Sequence, residues 1–181
     1  MMKELLLETS RLRLQTMKLS DLDGLLEIFG DPKVMVSFNT APFERDQMEG
    51  WIRRNLSHQE KYGYGLFSVM LKSNDMLIGN CGLEHMEVDG GLATELGYDF
   101  RSAYWNQGYA TEAAMAVRDY AFAELSLPSL ISLIRVGNQA SRRVSEKIGM
   151  RLVDELVLNE IRYWKYGIDR GIAGKETKTK E

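Results

Sequence analysis

The chain has 181 residues, 44% of them hydrophobic and 27% charged, with a formal net charge of -3. That length suits one domain of roughly 100–200 residues, and the composition is globular, neither that of a disordered chain nor of a membrane-embedded one. The acid excess removes any global attraction to nucleic acid, and a single cysteine, Cys81, excludes an intramolecular disulfide framework and a multi-cysteine metal site.

The opening "MMKELLLETS" is too short and too quickly charged for a signal peptide, and no run approaches the roughly 18 apolar residues of a membrane helix. A cytoplasmic protein without a membrane partner is expected. In "RLRLQTM", Leu12 and Leu14 alternate with Arg11, Arg13 and Gln15, the pattern of a half-buried strand. Ser20 or Asp21 then offers a cap for a helix that carries Leu22, Leu25, Leu26 and Phe29 on one side, and Gly30-Asp31-Pro32 stops it. Met48, Trp51, Ile52 and Leu56 recur at helical spacing over 44–60.

Three strand candidates follow, "YGLFSVML", "DMLIGNCGL" and "LATELGYDF". The first two join at Ser73-Asn74 and the last two through a longer polar loop around Asp89-Gly90-Gly91, which makes an antiparallel meander. A helix over 108–125 comes next, then "LISLIRV", whose continuous apolar run suits a strand in the sheet interior. Asn138 can cap a short helix that ends at Gly149, and two strands over 151–158 and 160–168 turn around Asn159. The fold class is α/β (α+β): one domain over 1–170 with a mixed, largely antiparallel central sheet and helices on both faces. The stretch 171–181 has almost nothing to bury and is expected to be a flexible tail.

The chemistry concentrates between Tyr98 and Thr111, where the chain passes from strand through loop into a helix. Gln107, Gly108, Tyr109, Ala110 and Thr111 there present main-chain N–H groups that lack intrahelical partners, and the helix dipole adds positive potential. Such a turn binds phosphate: Gly108 admits the oxygens, Ala110 raises no screen, and Thr111 can add a hydroxyl donor. Gly97, inside a strand, marks a bulge or a close approach by another backbone or a ligand. Further on, "NQASRRVSEKIGM" brings Asn138, Ser141 and Ser145 toward one cleft on a helix made basic by Arg142, Arg143 and Lys147. His58 at a polar helix end, His85 in a loop and Cys81 in an apolar strand form neither a metal cluster nor a catalytic triad, so no metal is expected.

"YDF...YWNQGYATEA" followed by "NQASRRVSEKIGM" resembles the acetyl-CoA-binding core of the GNAT superfamily of N-acetyltransferases, in particular the branch of ribosomal-protein N-terminal (alanine and serine) acetyltransferases. The resemblance runs from Leu7 to Ile168 in element order and is strongest from Glu95 to Met150. It implies a sheet whose fourth and fifth strands splay into a V that holds acetyl-CoA as co-substrate. It further implies that the main chain of Phe100 and Tyr98 holds the pantetheine, and that Gln107, Gly108, Tyr109, Ala110 and Thr111 form the pyrophosphate turn. Asn138 would bond the cofactor arm, with Arg143 or Lys147 at the adenosine phosphate. Trp105 and Asn106 depart from the superfamily pattern, and Asn tolerates the left-handed conformation better than most residues.

Acetyl transfer needs a neutral amine, a stabilised oxyanion and relief of charge on the leaving thiolate. A lysine amine titrates near about 10.4 and an α-amine near about 8, so the first needs more help in losing its proton. Glu95, on the strand beside the cofactor gap, is the first candidate for a base acting through water, with Glu84 and Glu155 as competitors. A main-chain N–H near Phe100 is the candidate oxyanion donor. Many superfamily members carry Tyr seven residues after the Asn, where this chain has Ser145; Ser141 is the candidate proton donor or thiolate partner. The expected activity is N-acetylation of a primary amine, on a protein N-terminus or a small molecule, by direct attack in a ternary complex. The alternative is an acyl-CoA-binding module without turnover. A phosphate-loop hydrolase is excluded, because no Gly-Lys-Ser/Thr follows the glycine turn. The acceptor and a possible homodimer are left open by the sequence.

Overall fold

The computed structural model describes residues 6–173. A short strand β1 (Leu6–Glu8) runs antiparallel to β2 (Leu12–Thr16), whose alternate residues Leu12 and Leu14 are fully buried. Alternation puts one side of each strand into the core. A 3-10 turn, Leu19–Asp21, leads into α1 (Leu22–Phe29), so Ser20 and Asp21 lie within that turn. Asp21 accepts the Lys18 N–H at 2.9 Å and the Ser68 hydroxyl at 2.6 Å, and makes no side-chain cap on α1.

Gly30-Asp31-Pro32 ends α1 and also starts α2 (Pro32–Met35), because Asp31 caps the Lys33 N–H at 2.8 Å and Pro occupies the first turn. A 3-10 turn, Val36–Phe38, then leads toward α3 (Arg45–Tyr62), whose Met48 and Ile52 are buried. The meander is β3 (Leu66–Leu71), β4 (Met76–Val88) and β5 (Gly91–Phe100). The longer loop expected between the last two is a two-residue turn: Asp89 and Gly90 both take positive φ, 53° and 72°, the conformation that matches strand twist in a tight hairpin. His85 lies on β4, and its N–H donates to His58 Nε2 at 2.8 Å.

α4 (Tyr109–Ala123), β6 (Ser129–Arg135), α5 (Gln139–Lys147), β7 (Arg151–Leu158), β8 (Ile161–Asp169) and a terminal turn α6 (Arg170–Ala173) complete the described chain. The tail expected from 171 begins within α6, and its residues from 174 onward lie outside the described residues. The eight strands form one sheet in the order β1-β2-β3-β4-β5-β6-β8-β7, antiparallel except where β5 meets β6. One core lies under α4, with Ala113, Ala114 and Val117 against Leu83, Leu96 and Phe100. A second core lies on the other face, where α1, α2 and α3 bury Leu25, Met35, Met48 and Ile52 against Leu66 and Leu77. Among the described residues no helix is long and apolar enough to cross a membrane.

Candidate active site

β5 and β6 pair at a single position, Glu95 opposite Ile131, and then part. The parting leaves ladder groups without strand partners, and unpaired main-chain groups away from water are costly. Two side chains satisfy those nearest the fork. Glu95 Oε1 accepts the Leu133 N–H at 3.0 Å, and the buried Ser132 hydroxyl donates to the Leu96 carbonyl at 2.7 Å. The fork of the V is therefore closed by carboxylate and hydroxyl where further ladder bonds would run.

Main-chain direction alternates along a strand, so the groups of Leu96, Tyr98 and Phe100 face the same edge, toward the gap. The Phe100 carbonyl on that edge accepts the Trp105 indole N–H at 2.8 Å. This explains the aromatic at 105: it fastens the loop to the end of β5. The N–H of Phe100 and the main chain of Tyr98 are the groups this edge offers to a threaded ligand. The Tyr98 side chain goes elsewhere. Its hydroxyl donates to the Ser141 carbonyl at 2.9 Å and ties β5 to α5, and burial pushes its pKa up.

Beyond the gap, a cavity of about 820 Å³ is lined by Tyr98, Asp99 and Phe100 on one side and by the start of α4 on the other. Gly108, at φ 82°, is the residue before α4, and no side chain caps this helix. Asn106 is also left-handed, at φ 59°, as its tolerance of that conformation allows. The helix's first internal bond runs from the Glu112 N–H to the Gly108 carbonyl at 3.0 Å. The N–H groups of Tyr109, Ala110 and Thr111 thus precede any intrahelical bond, and all three residues line the cavity. α5 makes the contrast, since Asn138 Oδ1 accepts the Ser141 N–H at 3.1 Å and fills that role.

Gln107 is not among the lining residues. Its side chain donates back to the Ala103 carbonyl at 3.0 Å, and its own carbonyl accepts from Arg11 Nη1 at 3.0 Å. Arg11 also lies 4.2 Å from the centre of the Tyr109 ring and bonds Glu112 Oε2 at 2.6 Å. Burial acts to raise the Glu112 pKa, but hydrogen bonds from Thr9, Arg11 and Ser10 together hold it below the usual range. Arg11 and Glu112 brace the turn from behind. The sequence offers no sign of this, because the partners stand 101 positions apart.

At the α5 end the cavity meets Asn138, Ser141, Arg143 and Lys147. Arg142 faces outward instead, bonded to Glu146 at 2.8 Å and 5.6 Å from the centre of the Trp164 ring. Ser145, in the place where many superfamily members have Tyr, is fully buried beside the Tyr98 hydroxyl and does not line the cavity. The cavity is therefore basic at the α5 end, carries Lys33 and Arg135 elsewhere on its lining, and presents open amides at α4 beside a forked sheet edge. These features suit a long thioester-bearing ligand with a diphosphate.

None of the three candidate bases lines the cavity, where Asp99 is the carboxylate, and they differ in place. Glu155 sits on β7 in an exposed ion pair with Arg162, away from the cavity. Glu95 and Glu84 face each other across β4 and β5. Burial pushes Glu95 up to about 7, against the pull of the Leu133 hydrogen bond and with a further push from Glu84 and Asp99. Asp99 also rises to about 7, by burial first. Gly97 is no bulge: it pairs in register with Gly82, and a Cβ there would meet nothing within 4 Å. Tyr104 lines the cavity, whereas Phe38 and Trp51 pack against Phe29 at 6.1 and 4.9 Å. Burial raises the Cys81 thiol far above its usual range, which makes it inert packing.

Comparison with known proteins agrees with this geometry. The model of the acetyltransferase (GNAT) domain family matches residues 11–151. The Bacillus subtilis (strain 168) protein YkkB is 38% identical over 147 residues, covering 80% of this chain and 84% of the relative. The crystal structure of a GNAT-family acetyltransferase from Bacillus anthracis superposes with a TM-score of 0.78 at 25% identity, covering 92% of this chain and 99% of that one. A ribosomal-protein-S5-alanine acetyltransferase from Vibrio fischeri shares the fold, with a TM-score of 0.72 at 19% identity over 92% of this chain and 97% of its own. The forked β5–β6 edge, the uncapped start of α4 and a family match across most of the chain make this protein a member of the GNAT acetyltransferase family, an acetyl-CoA-dependent acetyltransferase.

Proposed function

We propose that the protein moves the acetyl group of acetyl-CoA to a primary amine by direct attack within a ternary complex. The observation that carries this reading is the uncapped N-terminus of α4, which opens onto the same cavity as the parted strands. Acetyl-CoA, bound as co-substrate, supplies the activated acyl thioester. The N–H groups of Tyr109, Ala110 and Thr111 would hold its diphosphate, Arg143 its adenosine phosphate, Asn138 Nδ2 its arm, and the main chain of Tyr98 and Phe100 its pantetheine. Gly108 keeps the approach clear, and Gln107 shapes the turn.

The acceptor nitrogen must arrive without its extra proton. Glu95, its pKa raised to about 7, is half-ionised near neutrality and suited to take that proton through water. As the new C–N bond forms, the Phe100 N–H is placed to stabilise the oxyanion. The C–S bond then breaks, and Ser141 at the cavity wall supports the departing thiolate. In sum one ammonium and one thioester become one amide, one thiol and one released proton.

The test is free-thiol release from acetyl-CoA with and without amines, alongside calorimetric binding of CoA. Amine-stimulated thiol release, with CoA binding abolished in Gly108→Trp, supports the assignment. Tight CoA binding with no amine-stimulated release would instead support a CoA-binding module without turnover. Unchanged CoA affinity in Gly108→Trp would remove the turn from the site.

A further inference from the structure

The face of β4 and β5 turned away from α4 carries a second construction. Leu96 and Phe100 point into the core under α4, so Glu95, Gly97 and Asp99 stand on the opposite face, where Leu66, the partner of Gly82, joins the second core. In register across the two strands lie Asn80 with Asp99, Gly82 with Gly97, and Glu84 with Glu95. Paired residues share a face. Three carboxyls and one amide therefore surround two positions without a Cβ. The missing Cβ of Gly82 points into the Gly65 carbonyl, 2.3 Å away, but that of Gly97 points into open space. Gly97 is the floor of a hollow with acid on both sides.

Lys33 and Arg135 line the cavity that Asp99 also reaches, but neither is among the charges that act on the carboxyls. The charges that act on Glu95 are those of Glu84 and Asp99, both of its own sign, and Asp99 feels Glu84 likewise. Independently of the carboxyls, Asn80 is 1% exposed, donates to Asp99 Oδ2 at 3.4 Å, and has a buried Oδ1 with no hydrogen-bond partner. A buried acceptor left unmatched costs about 1–3 kcal/mol. What would satisfy it is an N–H donor, and what would satisfy its neighbours is a positive charge. Among the described residues no group of three or more His, Cys, Asp or Glu has the arrangement to hold a metal ion. The carboxyls are instead strung out along the strand, with Glu95 and Asp99 roughly 13 Å apart at the usual rise per residue. Asp99 also lines the cavity at the forked edge.

From this geometry we infer that the acceptor is a linear aliphatic diamine or polyamine, which lies along β5 over Gly97 with one ammonium held by the carboxyls while another amine reaches the fork. The inference rests on the acetyl-transfer reading for the reaction, but the binding it requires does not. Asp99 and Glu84 are then the residues that select for charge, and Gly97 is the one that leaves room for the chain. An unbranched amine can pass over Gly97, where no side chain stands in its way.

Two measurements test it. Acetylation rates are compared for spermidine, 1,4-diaminobutane, butylamine and a peptide with an N-terminal serine. Spermidine binding is also measured by calorimetry without acetyl-CoA, in the parent and in Asp99→Asn and Glu84→Gln. The expected results are a kcat/KM for spermidine or the diamine at least tenfold above that of butylamine, and a tenfold or greater loss of spermidine affinity in Asp99→Asn. CoA binding by each variant reports that it is folded. Equal kcat/KM for diamine and monoamine, a preference for the peptide, or spermidine affinity indifferent to both variants would overturn the inference and leave acetyl transfer standing. Asp99-dependent spermidine binding with no amine-stimulated thiol release would uphold the site and refute the reaction.

Discussion

The carboxyl of Glu95 accepts the main-chain N–H of Leu133 at 3.0 Å, across the point where β5 and β6 separate. One side chain thus closes the fork and places a carboxyl with a pKa near 7 beside the gap. The two roles can be separated by substitution. Glu95→Gln keeps a carbonyl for Leu133 but removes the proposed base, so the variant should fold normally and lose about 100-fold in kcat/KM, within the usual range for a general base. Glu95→Ala should lose stability as well, by about 1–3 kcal/mol, because the Leu133 N–H is left unmatched.

The pH profile follows from the same group. For the parent, kcat/KM should rise through about pH 7 as the carboxyls ionise, with an apparent value that belongs to the coupled Glu95–Asp99 set. In Glu95→Gln that rise should flatten. A profile that keeps its inflection near 7 in the variant would assign the titration to another group.

Asp99 should make the protein less stable than it need be. Its folded value of about 7 lies above the ordinary 3.8, so the folded state binds the proton more tightly than the unfolded one. The cost is fully present above pH 7, fades between pH 7 and 4 as the folded protein takes up its proton, and is absent below pH 4. Each unit corresponds to about 1.4 kcal/mol, and solvent screening of a half-buried group reduces the sum. Asp99→Asn should therefore be stabilised by roughly 2 kcal/mol at pH 8 and by little at pH 4. Denaturant unfolding at the two values checks this, and a gain confined to the acid side would reverse the sign of the argument.

Ser141 is fixed at its main chain from both sides, by Asn138 on its N–H and by Tyr98 on its carbonyl, which leaves the hydroxyl as the part a substitution removes. Ser141→Ala should lower kcat several-fold to tenfold while CoA affinity changes less than twofold. Steady-state kinetics with calorimetry checks the split, and equal kcat would take the hydroxyl out of the reaction.

What the sequence made legible follows from locality. Gly108 preceding small residues at a helix start, Asn138 as a cap and the alternation of Leu12 and Leu14 are signals carried within a few positions, and the structure uses each of them as expected. Pro32 was ambiguous: it stops one helix and, with Asp31 before it, begins another. β1 spans three residues, too few for a period to show. Gly97 reads as a bulge or a close approach from its own strand, and only its pairing with Gly82 shows an in-register position with open space above it. The same holds for the acids. Glu84 lies 11 positions from Glu95 and Asn80 lies 19 from Asp99, and which residues face each other depends on the length of the turn at Asp89-Gly90. The longer loop expected there would have set a different register. Arg11 behind the turn that opens α4 depends on long-range packing of β2 beside α4, which no local pattern encodes.

The central claim is that a coenzyme diphosphate docks on the amides that open α4. Its most direct test is titration of CoA into uniformly 15N-labelled protein, followed by amide chemical shifts. The largest changes should fall on Gly108, Tyr109, Ala110 and Thr111, with Tyr98 and Phe100 responding along the parted strand. Saturable binding that leaves those amides unmoved and shifts others would contradict the account.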